Sequence, residues 1–237
     1  SKVGNEGWGK TIGDAKLDRD NSRIPTSVVV DTSAAIAFPD DYGSEVSSGY
    51  CVLFVAIDAG DNGDVYRISA VTAPGSSRAT DLNIGTPSDF CIESEPNLAV
   101  SGDADTAYLL AGAASSAQVY LSTDGGENWI RSDKEPTGEG KTYVVMAADF
   151  ADSGRAYAAT SDDESALSYT TDGGITWNQS SLIDTSISLF ADFAVSANYN
   201  QDDTLFMLTS GGEYNSLWRT LNGGTGWERV FTSILAN

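Results

Sequence analysis

Thirty-four carboxylates are the groups in this chain best equipped for chemistry, and no histidine accompanies them. Acid–base work at neutral pH then rests on carboxylates, because the commonest general base and commonest zinc ligand is missing. Two carboxylates hydrolyse a glycoside when they face one another across a sugar-binding surface. Asp31, Asp40, Asp41, Asp89, Glu93, Asp149 and Asp192 are the candidates, yet in so acidic a chain any loop offers a pair. Asp58-Ala-Gly-Asp-Asn-Gly-Asp64 spaces oxygen ligands around glycines as a calcium loop does, and a polar hairpin explains it equally. Cys51 and Cys91 lack metal-ligand spacing. A single bridge between them would suit an oxidising compartment, but the pairing stays open. Asn178-Gln179-Ser180 is a glycosylation sequon, meaningful only in a eukaryotic secretory setting.

The formal charge of −21, with only 13 basic residues, narrows the partners. So negative a surface repels phosphate backbones and anionic lipid, which argues against nucleic acid and against docking on a membrane. No apolar run approaches the ~18 residues of a membrane span. Ser1-Lys2-Val3-Gly4-Asn5 has no apolar signal core, so we expect either a removed signal or a start inside a longer polypeptide. No cofactor is expected, calcium at residues 58–64 being the one candidate.

The elements that position these groups repeat. Tyr120-Leu-Ser-Thr-Asp-Gly-Gly-Glu-Asn-Trp129, Ser168-Tyr-Thr-Thr-Asp-Gly-Gly-Ile-Thr-Trp177 and Trp218-Arg-Thr-Leu-Asn-Gly-Gly-Thr-Gly-Trp227 align without gaps. A period near fifty residues marks a repeat architecture. Before each segment run short stretches rich in β-branched or aromatic residues, parted by Gly, Asp, Asn and Ser turns. Phe193-Ala-Val-Ser-Ala, Thr204-Leu-Phe-Met-Leu-Thr209, Ser216-Leu-Trp-Arg-Thr220 and Trp227-Glu-Arg-Val-Phe231 make one four-stranded unit. The most divergent copy has Ala34–Phe38, Cys51–Ala56 and Asp64–Ile68 but no Gly-Gly segment. Four-stranded units at this period bury their faces against neighbouring units, so the expected fold is an all-β propeller. Residues 33–89, 90–135, 136–184 and 185–237 form blades one to four. Residues 1–32 carry a linker and Gly7-Trp8-Gly9-Lys10-Thr11-Ile12, which matches the outer strand of a preceding blade. Four blades and an orphan strand do not evidently close a ring, so further chain or another protein is expected to complete it.

The pattern Ser/Thr-x-Asp-x-Gly-x-x-Trp resembles the Asp-box of bacterial-neuraminidase-type repeats. Ser122, Asp124, Gly126 and Trp129 match it fully, as do Thr170, Asp172, Gly174 and Trp177. The last copy keeps Thr220, Gly224 and Trp227 but has Asn222 for the acid. The resemblance implies a rigid structural hairpin remote from any active site: carboxylate and hydroxyl accept turn N–H groups, glycines supply positive φ, and the indole packs on the sheet. Families sharing such boxes include sialidases, sortilin-type receptors, xyloglucan-degrading glycosidases, a photosystem assembly factor and bacterial surface proteins. The turns at Phe38-Pro-Asp-Asp-Tyr42 and 197–203 look most like the bacterial surface branch.

Sialidases carry an Arg-Ile-Pro segment, and Ser22-Arg23-Ile24-Pro25 is similar to it. Their site also needs three convergent arginines. Arg19, Arg67, Arg78, Arg131, Arg155, Arg219 and Arg229 show no such context, and a linker with a proline is the simpler account. The expected function is therefore a non-catalytic structural or protein-interaction role at the cell surface or outside the cell, with other chains and glycan as candidate partners. A glycoside hydrolase, or part of one, and a sortilin-like ligand-binding receptor are the alternatives.

Overall fold

Short β-rich stretches between glycine and asparagine turns cannot satisfy their backbones alone, so they pair as hairpins and meanders. The structure is a computed structural model, and it describes residues 34–43, 51–57, 64–70, 78–82, 84, 97–113, 116–162, 165–182, 187–211 and 214–234. The orphan strand at 7–12, Ser22–Pro25, Cys91, residues 58–63 of the calcium-like loop, and Asp31, Asp89 and Glu93 lie outside them.

The described chain is all-β, a β-propeller of four antiparallel four-stranded blades. Sheet one is β1 (Ala34–Ala37), β2 (Cys51–Ile57), β3 (Asp64–Ala70) and β4 (Arg78–Asp81). Sheet two is β5 (Leu98–Ser101), β6 (Tyr108–Gly112), β7 (Val119–Ser122) and β8 (Ile130–Arg131). Sheet three is β9 (Thr142–Met146), β10 (Ala156–Thr160), β11 (Ala166–Thr170) and β12 (Asn178–Leu182). Sheet four is β13 (Leu189–Val195), β14 (Leu205–Gly211), β15 (Tyr214–Thr220) and β16 (Glu228–Ile234). In each sheet the strands lie in chain order, so every connection is a hairpin.

The chain divides into two compact units, Ser1–Leu109 with Ser122–Trp129, and Leu110–Leu121 with Ile130–Asn237. The core of the first includes Leu53, Phe54, Val55, Tyr66, Ile68, Ile84 and Leu109. That of the second is the packing of sheet three on sheet four, where Tyr143, Tyr157 and Leu167 meet Phe190, Tyr199, Leu205 and Met207. All five residues of β10 are buried. A strand covered on both faces loses the polar alternation of a half-exposed one, which is why Ala156-Tyr-Ala-Ala-Thr160 reads as a continuous apolar run.

Two single-turn helices cap the turns between first and second strands, α1 (Phe150–Ser153) and α2 (Tyr199–Asp202). The sequence predicts polar turns at these places. The extra order comes from one aromatic at the start of each, Phe150 and Tyr199, buried to 1% exposure. Each turn closes on a left-handed residue, Gly154 with φ 62° and Asp203 with φ 45°.

Candidate functional site

The three Gly-Gly hairpins share one polar core. Gly126 N–H donates to Ser122 Oγ (2.9 Å), Gly174 N–H to Thr170 Oγ1 (3.1 Å) and Gly224 N–H to Thr220 Oγ1 (3.1 Å). The same hydroxyls donate to Asp124 Oδ1 (2.8 Å), Asp172 Oδ1 (2.7 Å) and Asn222 Oδ1 (2.8 Å). Those oxygens accept the backbone N–H four residues on, from Asn128 (2.9 Å), Thr176 (2.9 Å) and Gly226 (3.0 Å). The turn is thereby closed from inside by two side chains.

The second carboxylate oxygen explains where the amide is tolerated. Asp124 Oδ2 accepts Asn128 Nδ2–H (2.7 Å), and Asp172 Oδ2 accepts the Thr176 hydroxyl (2.5 Å). In the third hairpin the equivalent residue is Gly226, which offers no side-chain donor, and Asn222 needs only its one acceptor. Hydrogen bonds from the Asn128 side chain and backbone hold the Asp124 carboxyl below its ordinary pKa. For Asp172, burial pushes the pKa upward, but the Thr176 and Thr170 bonds outweigh it and the net shift is downward.

The indoles are less alike than the turns. Trp129 Nε1–H donates to Gly126 O of its own hairpin (3.0 Å). Trp177 Nε1–H reaches Ser132 Oγ of sheet two (3.1 Å), whose hydroxyl donates to Gly174 O (2.7 Å). Trp227 Nε1 is buried without a partner, and its ring lies 6.4 Å from that of Phe193.

Each hairpin is tied to the turn at the same end of its sheet. Gly125 N–H donates to Ala107 O (3.1 Å), Gly173 N–H to Gly154 O (3.0 Å) and Gly223 N–H to Asp203 O (2.9 Å). These turns carry the candidate carboxylates, and every one described is engaged in holding backbone or a neighbouring side chain. Asp40 Oδ2 accepts Gly102 N–H (2.9 Å), and Asp41 Oδ1 accepts Ala104 N–H (3.1 Å). Asp149 Oδ1 accepts the Ser153 hydroxyl (3.0 Å), and Asp192 Oδ1 accepts Phe193 N–H (2.9 Å). Among the described residues no three His, Cys, Asp or Glu gather as a metal site. Cys51 opens β2, and Asp64 opens β3.

The described arginines are dispersed over separate partners. Arg67 pairs with Asp105, Arg131 with Glu135 and Arg219 with Glu228. Arg155 stands 5.7 Å from the ring centre of Tyr199. Burial pushes the Tyr199 phenol pKa up, and its hydroxyl hydrogen-bonds to that of Tyr157.

Sequence reasoning missed the pair of Arg229 and Trp218. The guanidinium lies 4.4 Å from the ring centre, and Trp218 Nε1–H donates to Thr209 Oγ1 (2.9 Å). The two residues face each other across β15 and β16, so an aromatic and a cation in cross-strand register are the signal. They line a cavity of about 100 Å³ with Ile187, Thr209, Gly211, Tyr214 and Ser216, and no carboxylate reaches it.

No family model matches the sequence, and no curated protein does. Solved structures match in fold. The GH74 enzyme of Niastella koreensis is 17% identical over 82% of this chain and 29% of its own, with TM-score 0.56. A chain of the nidogen/laminin complex is 11% identical over 92% of this chain and 74% of its own, with TM-score 0.53. TolB from Acinetobacter baumannii is 10% identical over 89% and 47%, with TM-score 0.51. This chain thus spans under a third of the GH74 enzyme. At such identities the likeness concerns architecture, and the chain shares the β-propeller fold with them.

Proposed function

We propose that this chain is a non-catalytic Asp-box propeller with a structural or protein-interaction role at the cell surface, in a surface layer or envelope assembly. Its ring would be completed by further sheets from other chains or from a longer polypeptide. The observation that carries the reading is the fate of the candidate chemistry. Asp40, Asp41, Asp149 and Asp192 are all engaged in bracing turns. A catalytic acid and its partner must instead face a common space with a reacting bond between them. The cavity on sheet four contributes an indole, a guanidinium and hydroxyls, but neither half of such a pair.

Incubation with a panel of β-glucans, xyloglucan and sialosides tests this directly. The expected result is no product above the buffer control. Release of reducing sugar that is lost on changing Asp149 or Asp192 to Asn would replace the reading with a glycoside hydrolase.

A further inference from the structure

The faces that successive sheets turn toward the next one can be compared position by position. The ties from Gly173 to Gly154 and from Gly223 to Asp203 set the register. They place Tyr157, Ala159 and Leu167 of sheet three in the same positions as Phe206, Leu208 and Leu217 of sheet four. On sheet three these residues are buried, at 3%, 0% and 0% exposure, beneath Phe190, Tyr199, Leu205 and Met207 of the next sheet. On sheet four, Leu208 is 37% exposed and Phe231, its neighbour across Leu217, is 60% exposed. Phe206 and Leu217 are half-buried. The fourth sheet therefore repeats, one step along, the apolar seat that the third already fills. A contiguous apolar surface of this kind marks a contact site.

What fills the seat on sheet three is a first strand and its aromatic turn. Tyr199 packs edge-on against Tyr157, with ring centres 5.7 Å apart. The first sheet carries the same elements. Phe38-Pro39-Asp40-Asp41-Tyr42 aligns with Val195-Ser196-Ala197-Asn198-Tyr199, so Tyr42 stands where Tyr199 does and Ile36 where Phe193 does. Yet Tyr42 is 41% exposed and Ile36 53%, whereas Tyr199 is 1%. Tyr42 meets only the edge of Phe38 among described aromatic contacts, at 4.7 Å.

Resting on the structural role proposed above, we infer that the open face of sheet four is the docking site for the first sheet of a second copy of this chain. Tyr42 of that copy lies against Phe206, as Tyr199 lies against Tyr157. The contact continues the interface already formed between sheets three and four. It joins unlike surfaces, so association is head-to-tail rather than face-to-face. Sheet one has no Gly-Gly hairpin, and the match is carried by its first strand and turn. With a charge of −21 per copy, the two molecules repel at long range, and salt strengthens their contact by screening.

Sedimentation equilibrium of the whole chain, with Leu208→Asp and Tyr42→Asp variants checked for folding by circular dichroism, decides the matter. The wild type should self-associate, and more tightly in 0.5 M than in 0.05 M salt, flagged here as roughly tenfold apart in ionic strength. Each variant alone should associate about tenfold more weakly or worse. Their equimolar mixture should recover a heterodimer, because each retains the face that the other has lost. A wild type monomeric throughout overturns the inference. So does association lost in Leu208→Asp but untouched in Tyr42→Asp, which means like faces pair. A failed association leaves the chain inert toward glycans, whereas hydrolysis of glycan would defeat the structural reading whatever the oligomeric state.

Discussion

At the scale of single residues, the choice between acid and amide in the Gly-Gly hairpins follows the donor four positions on. Asp172 spends both oxygens, on Thr170, on the Thr176 N–H and on the Thr176 hydroxyl. Asp172→Ala should therefore cost roughly 1–2 kcal/mol in urea unfolding, the usual range for a lost turn-capping acceptor. Combined with Thr176→Val, the losses should fall short of additive by about 0.5 kcal/mol or more. Asn222→Asp should gain almost nothing, because Gly226 offers the new oxygen no donor. Asp124 and Asp172 both have folded pKa values below their unfolded ones. The unfolded chain takes those protons first, so their stabilisation is complete above the ordinary carboxyl pKa of about 4 and is lost as pH falls through the folded values. Stability measured from pH 7 to pH 2 should fall less steeply in the Asp124→Asn, Asp172→Asn double variant than in the wild type. Serine, aspartate and the glycine pair were legible in the sequence because they recur at fixed spacing. The role of residues 128, 176 and 226 was not, because three different side chains occupy one position.

At the scale of elements, hairpins tie sheets together as well as strands. Gly174 shows why its type is fixed. Its φ of 98° disfavours any side chain, and a Cβ there would stand 2.8 Å from Leu110 Cδ2 of sheet two. Gly174→Ala should destabilise by about 1–3 kcal/mol through strain and overpacking. Ser132 is the polar counterpart, receiving the Trp177 indole and donating to Gly174 O. Ser132→Ala leaves both groups buried and unpaired, and should cost about 1–3 kcal/mol by the same unfolding measurement. Sequence periodicity located the central strands but misplaced their edges. It starts the first strand of sheet four at Phe193, whereas β13 begins at Leu189. A register shift between Phe190 and Asp192 breaks the alternation there and hides the earlier half. Trp218 and Arg229 were missed for a related reason, since their meeting depends on cross-strand register rather than on spacing along the chain.

At the scale of the whole molecule, each unit is built by laying the hairpin end of one sheet over the apolar face of the sheet before it. In the first unit the Cβ position of Gly126 abuts Leu82 and Leu109. In the second, those of Gly174 and Gly224 abut Leu110 and Leu167. The fifty-residue period made this arrangement legible, because such a sheet has no other way to cover both faces. Hydroxyl-radical footprinting of the dilute chain, read by mass spectrometry, tests the stacking most directly. Tyr157 and Tyr199 are buried between sheets three and four, while Tyr169, the strand neighbour of Tyr157, and Tyr214 are exposed. The account predicts strong labelling of Tyr169 and Tyr214 and protection of Tyr157 and Tyr199. Equal labelling of all four would mean that the third and fourth sheets do not stack.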